Sequence, residues 1–218
     1  MFNCNGVGGQ KWVQQADGTL RNPQSGLCLT TPGGSTTNGT VLDIEACTGA
    51  ASQRFASLSA VALAPGTTLA LPATTPCCTS SYVRHANGDG LLSTISATSP
   101  TGDKQDATWV VRAGLANSAC VSLESENYPN GYLRQRSSQI YQEQNDATNG
   151  FATDATFCPV PGKSGEGISL QWAGNTSLYL RHYNGHLYVA SDGGANAWDT
   201  ATSWTQDVSW APVSPWAP

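Results

Sequence analysis

The sequence predicts an all-β protein that is built from internal repeats. Short segments such as 131–134 and 187–190 are rich in aromatic and β-branched residues and are bounded by Gly, Asn, Pro and Asp, which is typical of strands. No window sustains the i, i+3, i+4, i+7 apolar pattern of a stable helix. The third observation is a sequence repeat of about 48 residues, which occurs three times. Three copies favour a closed threefold barrel, the β-trefoil, over a propeller, which needs about four to eight blades.

The repeat is carried by two short motifs. A Tyr-x-Arg motif, followed by His or Gln, begins at Tyr82, Tyr132 and Tyr179. An Asp-Ala-Thr-aromatic motif follows the first two of these and begins at Asp106 and Asp154. Because both motifs recur in the same order, the second part of the chain is predicted to contain three equivalent units.

The third unit departs from the second motif, since Ala201-Thr202-Ser203-Trp204 stands at the place that the spacing predicts. We expect this threefold domain to span residues 67–218. A segment of small, uncharged residues, 56–66, is predicted to be a linker. Residues 1–55 are then a separate first domain.

The first domain contains a different repeat. Gln10-Lys11-Trp12 recurs as Gln53-Arg54-Phe55, and Cys4 recurs as Cys47 with the same offset. The segment therefore contains one full repeat and the end of another. If Cys28 pairs with Cys47 inside the full repeat, Cys4 has no partner, so the pattern predicts the end of a longer protein.

Composition excludes several classes of partner. Only 11% of the 218 residues are charged, against roughly 25% in an average soluble protein, and the net charge is −5 with only 10 Lys and Arg. This charge cannot form the basic surface that nucleic acid requires, so no nucleic-acid partner is expected. No apolar run approaches the ~20 residues of a membrane span, and no leader-like segment begins the chain, so no membrane partner is expected.

The seven cysteines favour disulfides and an oxidising compartment. Their spacing does not match the paired ligands of a zinc site, so no metal is expected. Cys77 and Cys78 are adjacent, and the sequence leaves open whether they form a disulfide or remain two thiols. No cofactor motif is present, and we expect no cofactor.

Two families resemble these segments. The run from Leu27-Cys28-Leu29 through Cys47-Thr48-Gly49 to Gln53-Arg54-Phe55 resembles a repeat of the ricin B-type lectin trefoil, over about residues 4–55. The sugar site of that family needs an Asp, an aromatic residue and an Asn, at positions that here hold Thr30, Glu45 and Thr48. The resemblance therefore implies an incomplete trefoil repeat that keeps the scaffold without the sugar site.

Residues of about 67–213 resemble the arabinofuranose-binding module of the α-L-arabinofuranosidase B type. The resemblance rests on 74–78 (Thr-Thr-Pro-Cys-Cys), on the two repeated motifs and on 120–125 (Cys-Val-Ser-Leu-Glu-Ser). It implies a β-trefoil and a disulfide between Cys120 and Cys158.

The resemblance also implies one sugar pocket per repeat, formed by the His of the first motif and the Asp of the second. A carboxylate accepts hydroxyl protons, an imidazole adds a hydrogen bond, and an aromatic ring covers the apolar face of a sugar. The predicted ligand-binding residues are, in order of the repeats, His85 with Asp106, Gln135 with Asp154, and His182 with Asp199. The first pocket is expected to be the best and the second the poorest, because Gln135 replaces its His and Ala201 replaces the third Asp. A structural alternative is that Asp106 and Asp154 pair with Arg84 and Arg134 of their own repeats.

The resemblance implies a secreted, extracellular carbohydrate-binding module for L-arabinofuranose side chains of hemicellulose, either arabinoxylan or arabinan. We therefore expect the partner to be an arabinose-containing polysaccharide, and the chain to be covalently joined to the catalytic domain of an α-L-arabinofuranosidase or a related glycoside hydrolase. One alternative is intrinsic α-L-arabinofuranosidase activity, for which Glu124 and Glu126 are the closest acidic pair. Another is a structural, lectin-like adhesion module. No residue is assigned a catalytic role.

Overall fold

A computed structural model describes residues 7–15, 19–37, 39–55 and 63–217 of the chain. The chain divides into two compact units, Met1–Ser59 and Ala60–Pro218. Cys4 and residues 56–62 of the predicted linker lie outside the described residues. In the described ranges no helix has both the length and the apolar character to cross a bilayer.

The first unit contains one small antiparallel sheet. Its strands, in spatial order, are β1 (Val13–Gln14), β2 (Leu20–Arg21), β3 (Cys28–Thr30) and β4 (Asp43–Glu45). Three 3-10 turns, Gly8–Gln10, Pro32–Gly34 and Ala51–Gln53, accompany it. The predicted bond between Cys28 and Cys47 is present and closes this repeat.

Gln53, the first residue of the repeated Gln-x-aromatic motif, organises the loop after β4. Its side-chain carbonyl accepts hydrogen bonds from Thr48 N, Thr48 Oγ1 and Gly49 N, at 2.8 to 3.2 Å. Its side-chain amide donates to Ala46 O at 2.8 Å. The buried glutamine thus satisfies backbone groups that the loop would otherwise leave unpaired, which explains its place in the motif.

The second unit is an eleven-stranded antiparallel sheet. Its strands are β5 (Thr68–Leu69), β6 (Ser81–Ala86), β7 (Asp89–Thr94), β8 (Trp109–Ala113), β9 (Val121–Ser125), β10 (Gly131–Arg136), β11 (Gln139–Gln144), β12 (Phe157–Pro161), β13 (Ile168–Trp172), β14 (Asn175–Tyr183) and β15 (His186–Ala190). The path β10-β11-β7-β15-β14-β13-β12-β9 returns to β10 through the β9–β10 pairing, so eight strands form a closed ring. The prediction of an all-β protein is confirmed.

Three hairpins recur along this sheet, β6–β7, β10–β11 and β14–β15. Their two-residue turns are Asn87-Gly88, Ser137-Ser138 and Asn184-Gly185, and φ is positive at both positions of each turn. Such turns match the right-handed twist of the strands they connect. The second strands of the hairpins, β7, β11 and β15, pair with one another.

The core repeats with the hairpins. Val83, Leu133 and Leu180, each just before the motif arginine, are fully buried. A second fully buried set, Trp109, Phe157 and Trp210, follows three short helices. These helices, which the sequence pattern does not predict, are α1 (Thr101–Asp106), α2 (Asn149–Asp154) and α3 (Trp204–Asp207). The Cys120–Cys158 bond links the start of the second repeat to β12.

Candidate functional site

Each repeat in the second unit ends its short helix on an aspartate that pairs with the motif arginine. Asp106 Oδ2 lies 3.0 Å from Arg84, and Asp154 Oδ2 lies 3.1 Å from Arg134. In the third repeat the pair is Arg181 with Asp207, at 2.8 Å. Asp106 and Asp154 therefore do have the structural role considered from the sequence, because each carboxylate pairs with the arginine of its own repeat.

The third pair corrects the sequence alignment, which placed Ala201 at the position of Asp106. Asp207 ends α3, and Trp210 follows it as Trp109 follows Asp106. The indole N–H of Trp210 donates to Leu180 O as that of Trp109 donates to Val83 O, so the two tryptophans are equivalent. The true third motif is Asp207-Val208-Ser209-Trp210.

The alignment was wrong because the third repeat is longer between its two motifs. The added residues form a 3-10 turn, Ala197–Asp199, ahead of α3, and Ala201-Thr202-Ser203-Trp204 then resembles the motif at the expected spacing. Asp199 serves this turn instead of replacing the motif aspartate. Its carboxylate accepts hydrogen bonds from Ser191 N and from the backbone and side chain of Asn196.

The first site comprises His85, Asp106, Ser125, Asn127 and Tyr128. His85 Nε2 lies 2.9 Å from Ser125 Oγ, 3.1 Å from Asn127 Oδ1 and 3.5 Å from Asp106 Oδ1. The Asn127 amide donates to Asp106 Oδ1 at 2.7 Å. Since the Ser125 hydroxyl donates to Asn127 Oδ1, an N–H on Nε2 of His85 completes the hydrogen-bond network.

Tyr128 forms the open edge of the first site. Its ring meets the His85 imidazole edge to face at 5.3 Å, and the tyrosine is 52% exposed while the histidine is 3% exposed. Burial lowers the pKa of His85; the Asp106 carboxylate and the Asn127 hydrogen bond oppose this effect, and Arg84 adds to it. The imidazole is therefore neutral near pH 7, next to an exposed aromatic face.

The third site comprises His182, Asp207 and Thr75. His182 Nε2 lies 2.7 Å from Thr75 Oγ1, and the Thr75 hydroxyl donates to Asp207 Oδ1 at 3.0 Å. Because the hydroxyl proton points to the carboxylate, the imidazole donates its own Nε2 proton to the hydroxyl. Burial lowers the pKa of His182, against the Asp207 carboxylate and together with Arg181.

A cavity of about 660 Å³ opens at the third site, within the range of small-ligand pockets. His182 and Asp207 line it, together with Tyr183 and the adjacent Cys77 and Cys78. These two cysteines form a disulfide, which resolves the alternative that the sequence left open. The cavity thus combines a polar His-Thr-Asp group with apolar surface.

The second site, Gln135 with Asp154, has neither an imidazole nor a partner hydroxyl. The Gln135 amide donates directly to Asp154 Oδ1. At the position that Ser125 and Thr75 occupy in the other repeats, this repeat has Trp172, whose indole N–H donates to Thr153 O at 3.0 Å. The carboxylate keeps its arginine, but the surrounding groups differ from those of the other two sites.

The acidic pair considered for catalysis is already engaged in part. Glu124 Oε2 pairs with Arg112, and Glu124 Oε1 accepts a hydrogen bond from Asn130 N. Glu126 Oε2 is buried and has no hydrogen-bond partner in the described part of the chain. Across those same ranges no group of three or more His, Cys, Asp or Glu residues is placed to hold a metal ion.

Sequence reasoning missed the residues that the following repeat contributes to each site. His85 meets Ser125 and Asn127 from the start of the second repeat, and His182 meets Thr75 from the start of the first. A usable signal exists, because Thr75 and Ser125 each lie seven positions before the motif tyrosine. Only the closure of the sheet brings such distant residues to one site.

Comparison with known families agrees with both resemblances. The α-L-arabinofuranosidase B (ABFB) domain matches residues 71–211, and the ricin-type β-trefoil lectin domain matches residues 1–55. Both family resemblances expected from the sequence are confirmed.

Similar proteins include a probable α-L-arabinofuranosidase B of Aspergillus clavatus, 40% identical over 79% of this chain and 33% of the relative. An α-L-arabinofuranosidase B of Emericella nidulans is 36% identical over 91% of this chain and 39% of the relative. The chain thus spans between a third and two fifths of the length of these two curated relatives.

Solved structures give the same result. An α-L-arabinofuranosidase soaked with a cyclic sulfate inhibitor is 38% identical, with a TM-score of 0.70 over 71% of this chain and 32% of that one. An arabinofuranosidase complexed with arabinofuranosyl-α-1,2-xylobiose is 37% identical, with the same TM-score and coverage. Since the family match covers well over half of its residues, this chain belongs to the α-L-arabinofuranosidase B domain family.

Proposed function

We propose that this chain is a carbohydrate-binding module that recognises L-arabinofuranose side chains of hemicellulose through its first and third sites. The observation that carries the proposal is the duplicated geometry of these sites. Each places a buried, neutral imidazole within hydrogen-bond distance of a hydroxyl and close to a carboxylate that is fixed by arginine.

This chemistry suits a neutral sugar. A carboxylate has about four lone-pair positions, and the arginine and the neighbouring side chains use only part of them, so Asp106 and Asp207 can still accept sugar hydroxyl protons. Tyr128 offers an exposed ring to the apolar face of a furanose at the first site.

Two pockets in one module also fit a branched polymer. A pocket for a single sugar is weak, near millimolar, or about −4 kcal/mol. Two pockets that contact neighbouring side chains of one polysaccharide raise the overall affinity without any new contact, because the second binding event becomes intramolecular. Arabinoxylan and arabinan, which present many arabinose branches, are the ligands that profit from this arrangement.

The same proposal covers the architecture and setting of the module. The closed ring, the three hairpins and the repeated core residues support a β-trefoil over residues 67–218, after a first domain at 1–55 and a linker at 56–66. Three disulfides support a secreted, extracellular protein. Similarity to part of longer arabinofuranosidases supports covalent attachment to a catalytic domain.

The contacts of the acidic side chains support a module that binds its sugar without catalysis. Glycoside hydrolysis requires two carboxyl groups in one cleft, one of which donates a proton. Glu124 pairs with Arg112 and accepts a hydrogen bond from Asn130 N, so both of its carboxylate oxygens are already engaged.

Affinity electrophoresis on arabinoxylan, combined with a p-nitrophenyl arabinofuranoside assay on the same sample, tests the proposal. We expect retarded migration and no turnover. Turnover that disappears in Glu124→Gln would establish intrinsic arabinofuranosidase activity instead. Neither retardation nor turnover would favour a structural, lectin-like adhesion module.

A further inference from the structure

The Cys77–Cys78 disulfide occupies a special place in the third site. Counted back from the motif tyrosine of their repeats, Cys77 and Cys78 stand where Asn127 and Tyr128 stand beside the first site. The local backbone agrees, because Ser81 N donates to Cys78 O and Gly131 N donates to Tyr128 O, both at 2.8 Å. The two pairs are therefore equivalent loop residues with different chemistry.

In the first site this loop supplies one polar and one aromatic side chain. Asn127 bonds to His85 and Asp106, and the ring of Tyr128 packs edge to face on the imidazole. The third site has no amide or ring at these positions. Its Thr75 hydroxyl bridges His182 and Asp207 directly, so no amide is needed between them.

The disulfide is tied to that bridging residue. Cys78 N donates to Thr75 O at 2.8 Å, so the loop that carries the disulfide is held by the residue that joins imidazole to carboxylate. Cys78 packs against the hydrophobic core, Cys77 is exposed, and both line the cavity beside His182 and Asp207. The disulfide is thus held by the hydrophobic core on one side and lines the cavity on the other.

We propose that the Cys77–Cys78 disulfide is the apolar wall of the third pocket, in the position that Tyr128 holds at the first, and that it contacts the apolar face of the bound arabinofuranose. This inference rests on the proposed function. Two bonded sulfurs form a polarisable surface without a proton to donate, which suits carbon-bound hydrogens and does not compete for the sugar hydroxyls. Two separate thiols, free to rotate, would not keep this surface in place.

The two pockets can be followed separately in the intact protein. Its three histidines include one in each of the two sites, so the imidazole nitrogen resonances of His85 and His182 report binding at the first and the third site. Methyl α-L-arabinofuranoside is the probe. We expect both resonances to shift in the oxidised wild-type protein, each with its own midpoint.

Cys77→Ser/Cys78→Ser removes the wall at the third site alone. We expect the midpoint reported by His182 to rise by about fivefold to tenfold, because apolar contact is lost, while the midpoint reported by His85 stays the same. A dithiol reductant should act in the same way on the wild-type protein. It breaks the Cys77–Cys78 bond to give two thiols and is itself oxidised to a cyclic disulfide.

Cys77→Asn/Cys78→Tyr is the matched control, because it gives the third site the loop residues of the first. We expect His182 in this variant to report binding within about threefold of wild type, and a dithiol to leave that midpoint unchanged. The variant keeps the Cys28–Cys47 and Cys120–Cys158 bonds. A change in its midpoint on addition of the dithiol would therefore come from reduction of these two bonds.

The outcomes separate the two proposals. If the serine variant binds the probe at His182 as the wild type does, the disulfide is not a wall, although the proposed function stands. If the tyrosine variant loses binding there, the loop positions are not equivalent and the inference fails. If neither histidine responds in the wild-type protein, the proposed function itself fails.

Discussion

The second site and the third site are built around the same arginine–aspartate pair, yet they differ in what surrounds it. Both retain an arginine bound to the aspartate that ends the helix. Only the third adds an imidazole and a hydroxyl, where the second has Gln135 and Trp172. The ion pair is thus common to all three repeats, whereas the imidazole and hydroxyl are the groups that distinguish the two proposed pockets.

The arginines themselves differ in burial. Arg181 is 0% exposed and donates to three backbone carbonyls, those of Trp198, Thr200 and Thr202, in addition to Asp207. Arg134 is partly exposed and pairs with Glu143 and Asp154. Arg181 therefore anchors the long segment that the third repeat inserts before α3, a task that the second repeat does not have.

The largest expected effect is on stability. Arg181→Met leaves the buried Asp207 carboxylate and three carbonyls without their donor, so we expect a loss of about 3–5 kcal/mol in the free energy of unfolding. Arg134→Met removes two ion pairs that keep part of their contact with water, so we expect a smaller loss, of about 1 kcal/mol. Urea unfolding of the two variants measures the difference. Equal losses would show that the two arginines contribute equally to the free energy of unfolding.

Binding gives the next largest effect. Asp106→Ala removes a charged acceptor from the first site, so the affinity for methyl α-L-arabinofuranoside should fall by about 1.5–3 kcal/mol. Asp154→Ala should leave it unchanged, since the second site lacks the other pocket groups. Calorimetry measures both, and the melting temperature of each variant controls for loss of the arginine pair. Wild-type affinity in Asp106→Ala, or lost binding in Asp154→Ala, would reverse the comparison.

Much of the fold could be predicted from the sequence, because repetition is visible in it. The Tyr-x-Arg motifs mark three hairpins, and the buried residue between Tyr and Arg is apolar in each. The three short helices were missed, since single helical turns carry no apolar periodicity. Their stability comes from the aspartate at the end of each helix and from the buried aromatic residue that follows, which are tertiary contacts.

The candidate sites were less predictable. His85, Asp106 and His182 lie at the sites that the motifs indicate. Asp207 was missed, because the third repeat contains an insertion whose length no motif reveals, and the expected spacing therefore led to the wrong residue. Thr75, Asn127 and Tyr128 come from the neighbouring repeat in space. A motif found within one repeat cannot identify partners that reach it only when the barrel closes.

The smallest expected effect is on the pH dependence of stability. It comes from the imidazoles of the first and third sites, which the second site lacks. Burial lowers the pKa of His85 and of His182 in the folded protein, whereas an unfolded histidine titrates near 6.5. Between the lowered pKa and about 6.5 the unfolded chain binds more protons than the folded one. Stability from these two groups is therefore complete above about pH 6.5 and is lost as the pH falls through the folded pKa values.

Replacing both histidines by glutamine gives each site the residue that Gln135 already supplies in the second. We expect the melting temperature of wild type to fall more between pH 7 and pH 5 than that of His85→Gln/His182→Gln, because the variant has no buried imidazole to protonate in these sites. All other side chains are the same in both proteins, so their effects largely cancel in the difference. Scanning calorimetry at several pH values measures the two slopes, and parallel slopes would mean that the buried imidazoles do not couple to folding.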